Sequence, residues 1–344
     1  MDESERKNIF VELTHKKIFW PIIAMAALLL FNVFMTPGFF NVQMKDGHLY
    51  GSLLDILNHA TPLILISLGM TVVIATQGID ISVGSIIAIS AAVSATVIVD
   101  GGGVLAAILA GIAAGILCGM WNGLLVSYIG IQPMVGTLIL YIVGRGIAQL
   151  ITAGQILTFT SPSFVFIGTG YWIVPIACYV AIVIIVLMHL LMRKTSFGLF
   201  IESIGVNSTS SRFSGINAKK IVFSTYVISG VLASISGILI CSNIKSADAN
   251  NAGLWLELDA ILATVIGGTS MNGGRFYLGS TVVGALFIQT LTTTIYSLGV
   301  PTQVTLVVKA VIVIIVCLIQ TPAFQKMFEK KKPVIHLKSA PVTK

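Results

Sequence analysis

Groups able to do chemistry are few between the two charged tails, and three polar stretches gather them most densely. The first is Gln77-Gly78-Ile79-Asp80-Ile81-Ser82-Val83-Gly84, where one carboxylate, an amide and a hydroxyl stand among glycines. The second is Gly267-Gly268-Thr269-Ser270-Met271-Asn272-Gly273-Gly274-Arg275, again glycines with hydroxyl and amide side chains. The third, Met192 to Lys220, carries Arg193, Lys194, Arg212, Lys219 and Lys220 against the single acid Glu202. Such groups suit hydrogen bonding to a neutral solute or a grip for a protein partner. They do not suit bond-breaking chemistry. The chain has no GxxxxGK[ST] phosphate loop, no HExxH and no GxSxG elbow, so neither catalytic nor metal residues are assigned. Cys118, Cys178, Cys241 and Cys317 show no CxxC spacing and read as packing residues.

The text that must position these stretches is apolar. Of 344 residues, 56% are hydrophobic and 10% charged, against roughly 25% charged in soluble domains. Mean hydropathy is +0.98. Apolar runs near the length of a bilayer crossing recur along the chain. This predicts an all-α, polytopic inner-membrane protein of about ten transmembrane helices, with two broken, glycine-rich segments. The predicted crossings cover about 18–35, 52–76, 85–99, 104–126, 134–151, 171–191, 221–240, 258–266, 276–295 and 302–319. In domain terms, residues 1–17 form a charged tail, 18–320 the membrane domain with a polar loop at 193–220, and 321–344 a lysine-rich tail. The acids Asp2, Glu3, Glu5 and Glu12 and the absence of a small-residue cleavage signature argue against a secretory signal.

Charge sets the orientation. With the amino terminus inside and ten crossings, both tails and the 193–220 loop are cytoplasmic. Sixteen of the twenty Lys and Arg then fall on the inner side, as the positive-inside rule requires. The formal net charge of +7 is confined to tails and one loop, without aromatic interleaving, which argues against a nucleic-acid partner.

Two readings of the broken segments stand: short cytoplasmic turns, or irregular backbone that lines or gates a solute path. Irregular backbone at membrane depth is tolerated only inside protein or beside a cavity, and half-helices meeting at such breaks present amides to a solute. The polar content favours a path. Its candidate residues are Gln77, Gly78, Asp80, Ser82 and Gly84 in the first break, and Gly267, Gly268, Thr269, Gly273, Gly274 and Arg275 in the second. Arg145, between Gly144 and Gly146, reads as a path residue or half of a structural charge pair. Asn122 is a further candidate for the path or its gate, and for an interhelical hydrogen bond. Gly111, Ala114, Gly115 and Gly119 suit close helix contact. Lys309 is read as snorkelling to the outer surface, Trp172, Trp255 and Tyr296 as interfacial aromatics, and Glu257 and Asp259 as facing a partner or solvent at the outer end of their segment.

Four pieces of text together resemble one known family: "GIDISVG" at Gly78–Gly84, "GLLVSYIGIQPMVGTLILYIVGRGIAQ" at Gly123–Gln149, "GVNSTSSRFSGIN" at Gly205–Asn217 and "VIGGTSMNGGR" at Val265–Arg275. They are similar to the permeases of bacterial ribose- and xylose-type ABC sugar importers, over about residues 50–320. The chain departs from the family where Gln77 precedes Gly78 in place of a second glycine, and where Phe276 follows Arg275 in place of glycine.

The resemblance implies a permease that binds no cofactor itself. ATP and Mg²⁺ would belong to a separate ABC ATP-binding subunit. The other implied partners are a periplasmic or lipid-tethered solute-binding protein and a second permease, identical or not, all within membrane lipid. The cargo would be a monosaccharide, pentose or hexose, with galactofuranose among the choices. Gly205, Asn207, Ser211, Arg212 and Gly215 would then couple the permease to the ATPase, in a short helix capped at Asn207 or Ser208 and ended near Gly215. The alternative is a secondary transporter driven by an ion gradient, which would need an ion site at Asp80 or Arg145.

Overall fold

The computed structural model describes residues 18–45 and 47–320; both charged tails lie outside the described residues. The elements in chain order are α1 (Phe19–Met35), a β1–β2 hairpin (Gln43–Lys45 and His48–Tyr50), α2 (Ser52–Ala75), α3 (Val83–Val99) and α4 (Val104–Gly123). α4 runs on as a wider π-turn, Leu124–Ile129. Then come α5 (Pro133–Ile151), β3 (Leu157–Thr158), α6 (Pro162–Thr169), α7 (Ile176–Lys194), α8 (Ser196–Val206) and α9 (Ser208–Phe213). The described residues end with α10 (Ala218–Ile244), β4 (Ser246–Ala247), α11 (Leu256–Ile266), α12 (Leu278–Ser297) and α13 (Thr302–Gln320). Among the described residues, six helices are long and apolar enough to cross a membrane. The protein is an all-α, multi-pass membrane protein.

The core is built around α10, which packs along α2, α3 and α4. Its approach to α4 depends on absent side chains. Gly111, Gly115, Gly119 and Gly123 fall on one face of α4, four residues apart, and that face lies on Phe223, Tyr226, Gly230, Ser234 and Ile238 of α10. A Cβ at Gly119 would stand 2.6 Å from the Tyr226 carbonyl oxygen. Small residues let helix backbones close to contact, where lipid supplies no hydrophobic drive.

The bundle has two ends. At the hairpin end, β1 pairs with β2 and β3 with β4, and the Leu49 amide donates to the Ile173 carbonyl at 3.0 Å. At the basic end lie Arg193, Lys194, Arg212, Lys219 and Lys220 around α8 and α9. Residues 171–175, expected at the head of a span, instead form a turn closed by a Tyr171–Pro175 bridge. Residues 196–206, expected as polar loop, form the helix α8, whose N-cap Thr195 accepts from the Phe197 amide.

Lys309 departs from the snorkelling expectation. It is only 7% exposed, and its Nζ lies 2.9 and 3.2 Å from the two carboxylate oxygens of Asp259. Because α11 is short and packs against α13, Asp259 meets Lys309 inside the bundle. Glu257, expected to face a partner or solvent, is 2% exposed.

Removing one member of such a pair strands the other in the interior. Asp259→Ala is expected to cost about 3–5 kcal/mol, while Asp259→Leu combined with Lys309→Met recovers most of that loss. Thermal unfolding of purified protein in detergent checks both. Equal destabilisation in the single and double variants would remove the pairing account.

Candidate functional site

Asp80 collects the first interruption. Its carboxylate is fully buried and accepts from the Ser82 hydroxyl at 2.6 Å, the Ser82 amide at 3.1 Å, Asn122 Nδ2 at 3.3 Å and the Ser229 hydroxyl at 2.8 Å. Asn122 also donates to Ser82 Oγ at 2.7 Å. One acid therefore ties the interruption to α4 and α10. No cation stands within ion-pair distance of Asp80 among the described residues.

The surrounding backbone is satisfied by a neighbour. Thr137 of α5 accepts from the Ile81 amide at 3.2 Å and can donate to the Ile79 carbonyl at 3.1 Å. Thr137 escaped notice in the sequence because a helical Thr already finds a local acceptor one turn back, here the Pro133 carbonyl at 3.0 Å. Gly78 lies under the Tyr226 hydroxyl, where a Cβ would fall 2.6 Å away. Gly84 faces Glu257 and the Gly253 carbonyl.

The second interruption touches the first. The Gly274 amide donates to the carbonyl of Ala75, the last residue of α2, at 2.9 Å. Gly267 packs on Ser280 and Thr281 of α12. Gly268 and Gly273 hold positive φ angles of 81° and 79°. Buried Thr269 accepts from the Tyr277 amide at 3.4 Å. Arg275 is exposed and joins none of these contacts.

Gly205, at the end of α8, is wedged into the same point. A Cβ there would overlap the Ala75 carbonyl oxygen and the Gly274 backbone. Gln77 closes the joint: its Nε2 donates to the Gly205 carbonyl at 2.9 Å. Its backbone is left-handed, with φ 65°, a conformation that a glycine adopts without the cost a side chain brings. Arg193 adds a second tie, donating to the Phe276 carbonyl at 2.9 Å and to Glu202 at 3.2 Å while stacking over the Phe276 ring.

Two residues beyond Gly205, the Asn207 side chain accepts from the Ser210 amide at 3.0 Å and starts α9. Ser211 is buried and bonded back to the Asn207 carbonyl at 2.9 Å. Gly215 follows the helix with φ 83°. Arg212 points to solvent, and Phe213 at the helix tip is 89% exposed. A short, capped, exposed helix is thus joined through one glycine to both interruptions.

Arg145 lies elsewhere. Its Nη1 donates to the carbonyls of Ala249, Asn250 and Ala252 at 3.2, 3.4 and 2.6 Å. It makes no ion pair in the described residues. No group of three or more metal-ligating side chains is gathered among them.

Apolar crossings joined by polar interruptions, with an exposed helix wired to both, define a membrane permease subunit. The comparisons give its kind. The family model described as "Branched-chain amino acid transport system / permease component" matches residues 52–317, and the chain belongs to that family. Its members are the non-catalytic permease subunits of ABC-type importers. The chain is 48% identical over 311 residues to the galactofuranose transporter permease protein YtfT of Escherichia coli K12, covering 89% of this chain and 91% of that protein. It is 36% identical to the fructose import permease protein FruF of Bifidobacterium longum, over 98% and 97% of the two chains. It is 35% identical to the ribose import permease protein RbsC of Bacillus subtilis, over 92% and 96%. No solved structure matches.

The joint predicts a sharp contrast between glycines. Gly205→Ala is expected to destabilise the protein by about 1–3 kcal/mol through overpacking. Gly146→Ala, which meets nothing within 4 Å, should change stability by under about 0.5 kcal/mol. Detergent melting curves of the two variants decide; a neutral Gly205→Ala would mean that the three backbones are not in contact.

Proposed function

We propose that this chain is the subunit through which an ATP-driven importer passes a monosaccharide, pentose or hexose, across the bacterial inner membrane. The observation that carries the reading is the exposed, Asn207-capped α9, joined through Gly205 to Ala75 and Gly274. The sugar class rests on the relatives, whose names specify galactofuranose, fructose and ribose, and galactofuranose is the first sugar to test. No relative among them is named as an ion-coupled carrier, and Asp80 is occupied by hydroxyl and amide donors. Both points weigh against the secondary-transporter alternative.

The proposed topology has ten crossings, counting α1, α3, α11 and α13 with the six long helices, and both termini on the cytoplasmic side. The cluster of bases around α8 and α9 supports that orientation. The partners are a cytoplasmic ATP-binding subunit that holds ATP and Mg²⁺, an external solute-binding protein and a second permease. No partner role falls to nucleic acid. Phe213 and Val206 are large apolar side chains left exposed on a basic surface, which suits a groove on a protein better than water.

The mechanism follows from the joint. Closure of the ATP-binding subunits displaces α9. Gly205 carries the displacement to the end of α2 and to the second interruption together, since a shift of one cannot leave the others in place when their backbones touch. Gln77, Gly78, Asp80, Ser82, Gly84 and Asn122 then form a gate held shut or open by hydrogen bonds, with Gly267, Gly268, Thr269, Gly273, Gly274 and Arg275 as its second leaf. Arg145 belongs to the path wall.

Affinity capture from solubilised native membranes tests the assignment. The intact chain should bring down an ATP-binding subunit. Deletion of 207–215 should abolish that capture, and Phe213→Asp should weaken it at least tenfold, with both variants still folded. Sugar uptake by the intact chain reconstituted alone, without an ATPase, would overturn the reading.

A further inference from the structure

Between β4 and α11 the chain does something its sequence does not announce. β4 pairs with β3 at the hairpin end, and Asp248 then caps a turn by accepting from the amides of Asn250 and Asn251. From there the backbone descends into the bundle. Gly253, with φ 69°, lies against Ile87 and the Gly84 carbonyl, leaving only 2.8–2.9 Å for a Cβ. Gly84 is in the first turn of α3, about 22 Å along that helix from its hairpin-end terminus. Residues 248–255 are therefore a re-entrant stretch, and α11 starts deep within the bundle.

One side of this stretch is held by charge. Arg145 takes up three of its carbonyls. Arg145 Nη2 and Glu257 Oε2 are both buried with no hydrogen-bond partner. The inward face of α11 carries small residues, Ala260, Ala263 and Thr264, all fully buried against its neighbours.

The rest of the stretch is open. Asn250, Asn251, Leu254, Trp255 and Leu258 are exposed, as is Gln149 one turn beyond Arg145 on α5, and Gln149 Nε2 donates to Asn250 Oδ1. Hydrocarbon tolerates neither irregular backbone nor a cluster of amides on a lipid-facing surface. This face must meet water or protein. Its chemistry is polar: three amides that can donate and accept, Asn251 Nδ2 among them donating to the Asp248 carboxylate at 2.7 Å, then an indole. Trp255 holds its ring there from a left-handed backbone, φ 66°, at the first turn of α11.

On the reading given under Proposed function, we propose that this face is a wall of the sugar's passage. Gln149, Asn250 and Asn251 exchange hydrogen bonds with sugar hydroxyls as they shed water, and Trp255 stacks on the apolar face of the ring. Leu254 and Leu258 continue the wall toward the basic end without polar groups, so the sugar is not held. The Arg145 clamp, part of the same wall, fixes the depth of the stretch and positions these residues.

The experiment uses the full complex reconstituted in vesicles, with Cys118, Cys178, Cys241 and Cys317 replaced and single cysteines placed at Asn251, Leu258 and, as a lipid-facing control, exposed Ile182 on α7. A charged, membrane-impermeant thiol reagent is added from the hairpin side while ATP is turned over. Asn251→Cys and Leu258→Cys should react at least tenfold faster than Ile182→Cys. In parallel, uptake of radiolabelled galactose (which supplies galactofuranose at equilibrium), fructose or ribose, whichever the parent complex carries, should fall about threefold to tenfold in Trp255→Ala. Trp255→Phe should retain most of the rate, and the sugar affinity of the binding protein should stay unchanged. Labelling no faster than at Ile182, in a complex that transports, overturns the proposal and leaves the importer assignment intact. A parent complex that carries none of the sugars overturns the sugar reading, and the labelling rates still report whether this face is wet.

Discussion

A backbone that leaves its helix inside a packed bundle must find partners for every amide and carbonyl it frees, and the architecture here is organised around that requirement. At the end of α2 the Ala75 carbonyl is taken by the Gly274 amide. The next residues are secured by Thr137 and by the carboxylate of Asp80. Partners of this kind must come within about 3 Å, so the elements that supply them are drawn to backbone contact. Glycines at 205, 273 and 274 permit that closeness. Satisfying the chain where it is irregular and wiring the exposed helix to the interruptions are thus the same act.

Charge inside the bundle is used sparingly, and three times as a fixing. Asp80 holds neutral donors, Lys309 holds Asp259, and Arg145 holds carbonyls. A neutral polyol passing such a bundle meets no strong field, which suits a conduit better than a trap. Arg193 is the counterpart at the basic end, where it ties α7, α8 and the Phe276 carbonyl together. Gln77 shows a residue chosen against its backbone: its left-handed conformation would suit glycine, but its amide reaches the carbonyl of Gly205. The strain and the hydrogen bond sit in the same residue.

The sequence by itself determined what depends on neighbours within a turn or two. Apolar runs marked the crossings, because hydropathy needs no knowledge of partners. The glycine row of α4 announced a close helix contact, and α9 was legible to its cap, since Asn207 and Gly215 act on backbone groups three or four residues away. The length of a full crossing hid shorter features, so α8 passed for loop, and nothing in the apolar pattern marked the stretch before α11. Only the tertiary structure decided what crosses the chain. Asp80 meets Asn122 and Ser229 over 42 and 149 positions, Lys309 reaches Asp259 over 50, and Gln77 reaches Gly205 over 128. Those pairings depend on which helices pack side by side and at what depth. A lone charge in apolar text states only that a partner must exist, and packing chooses it.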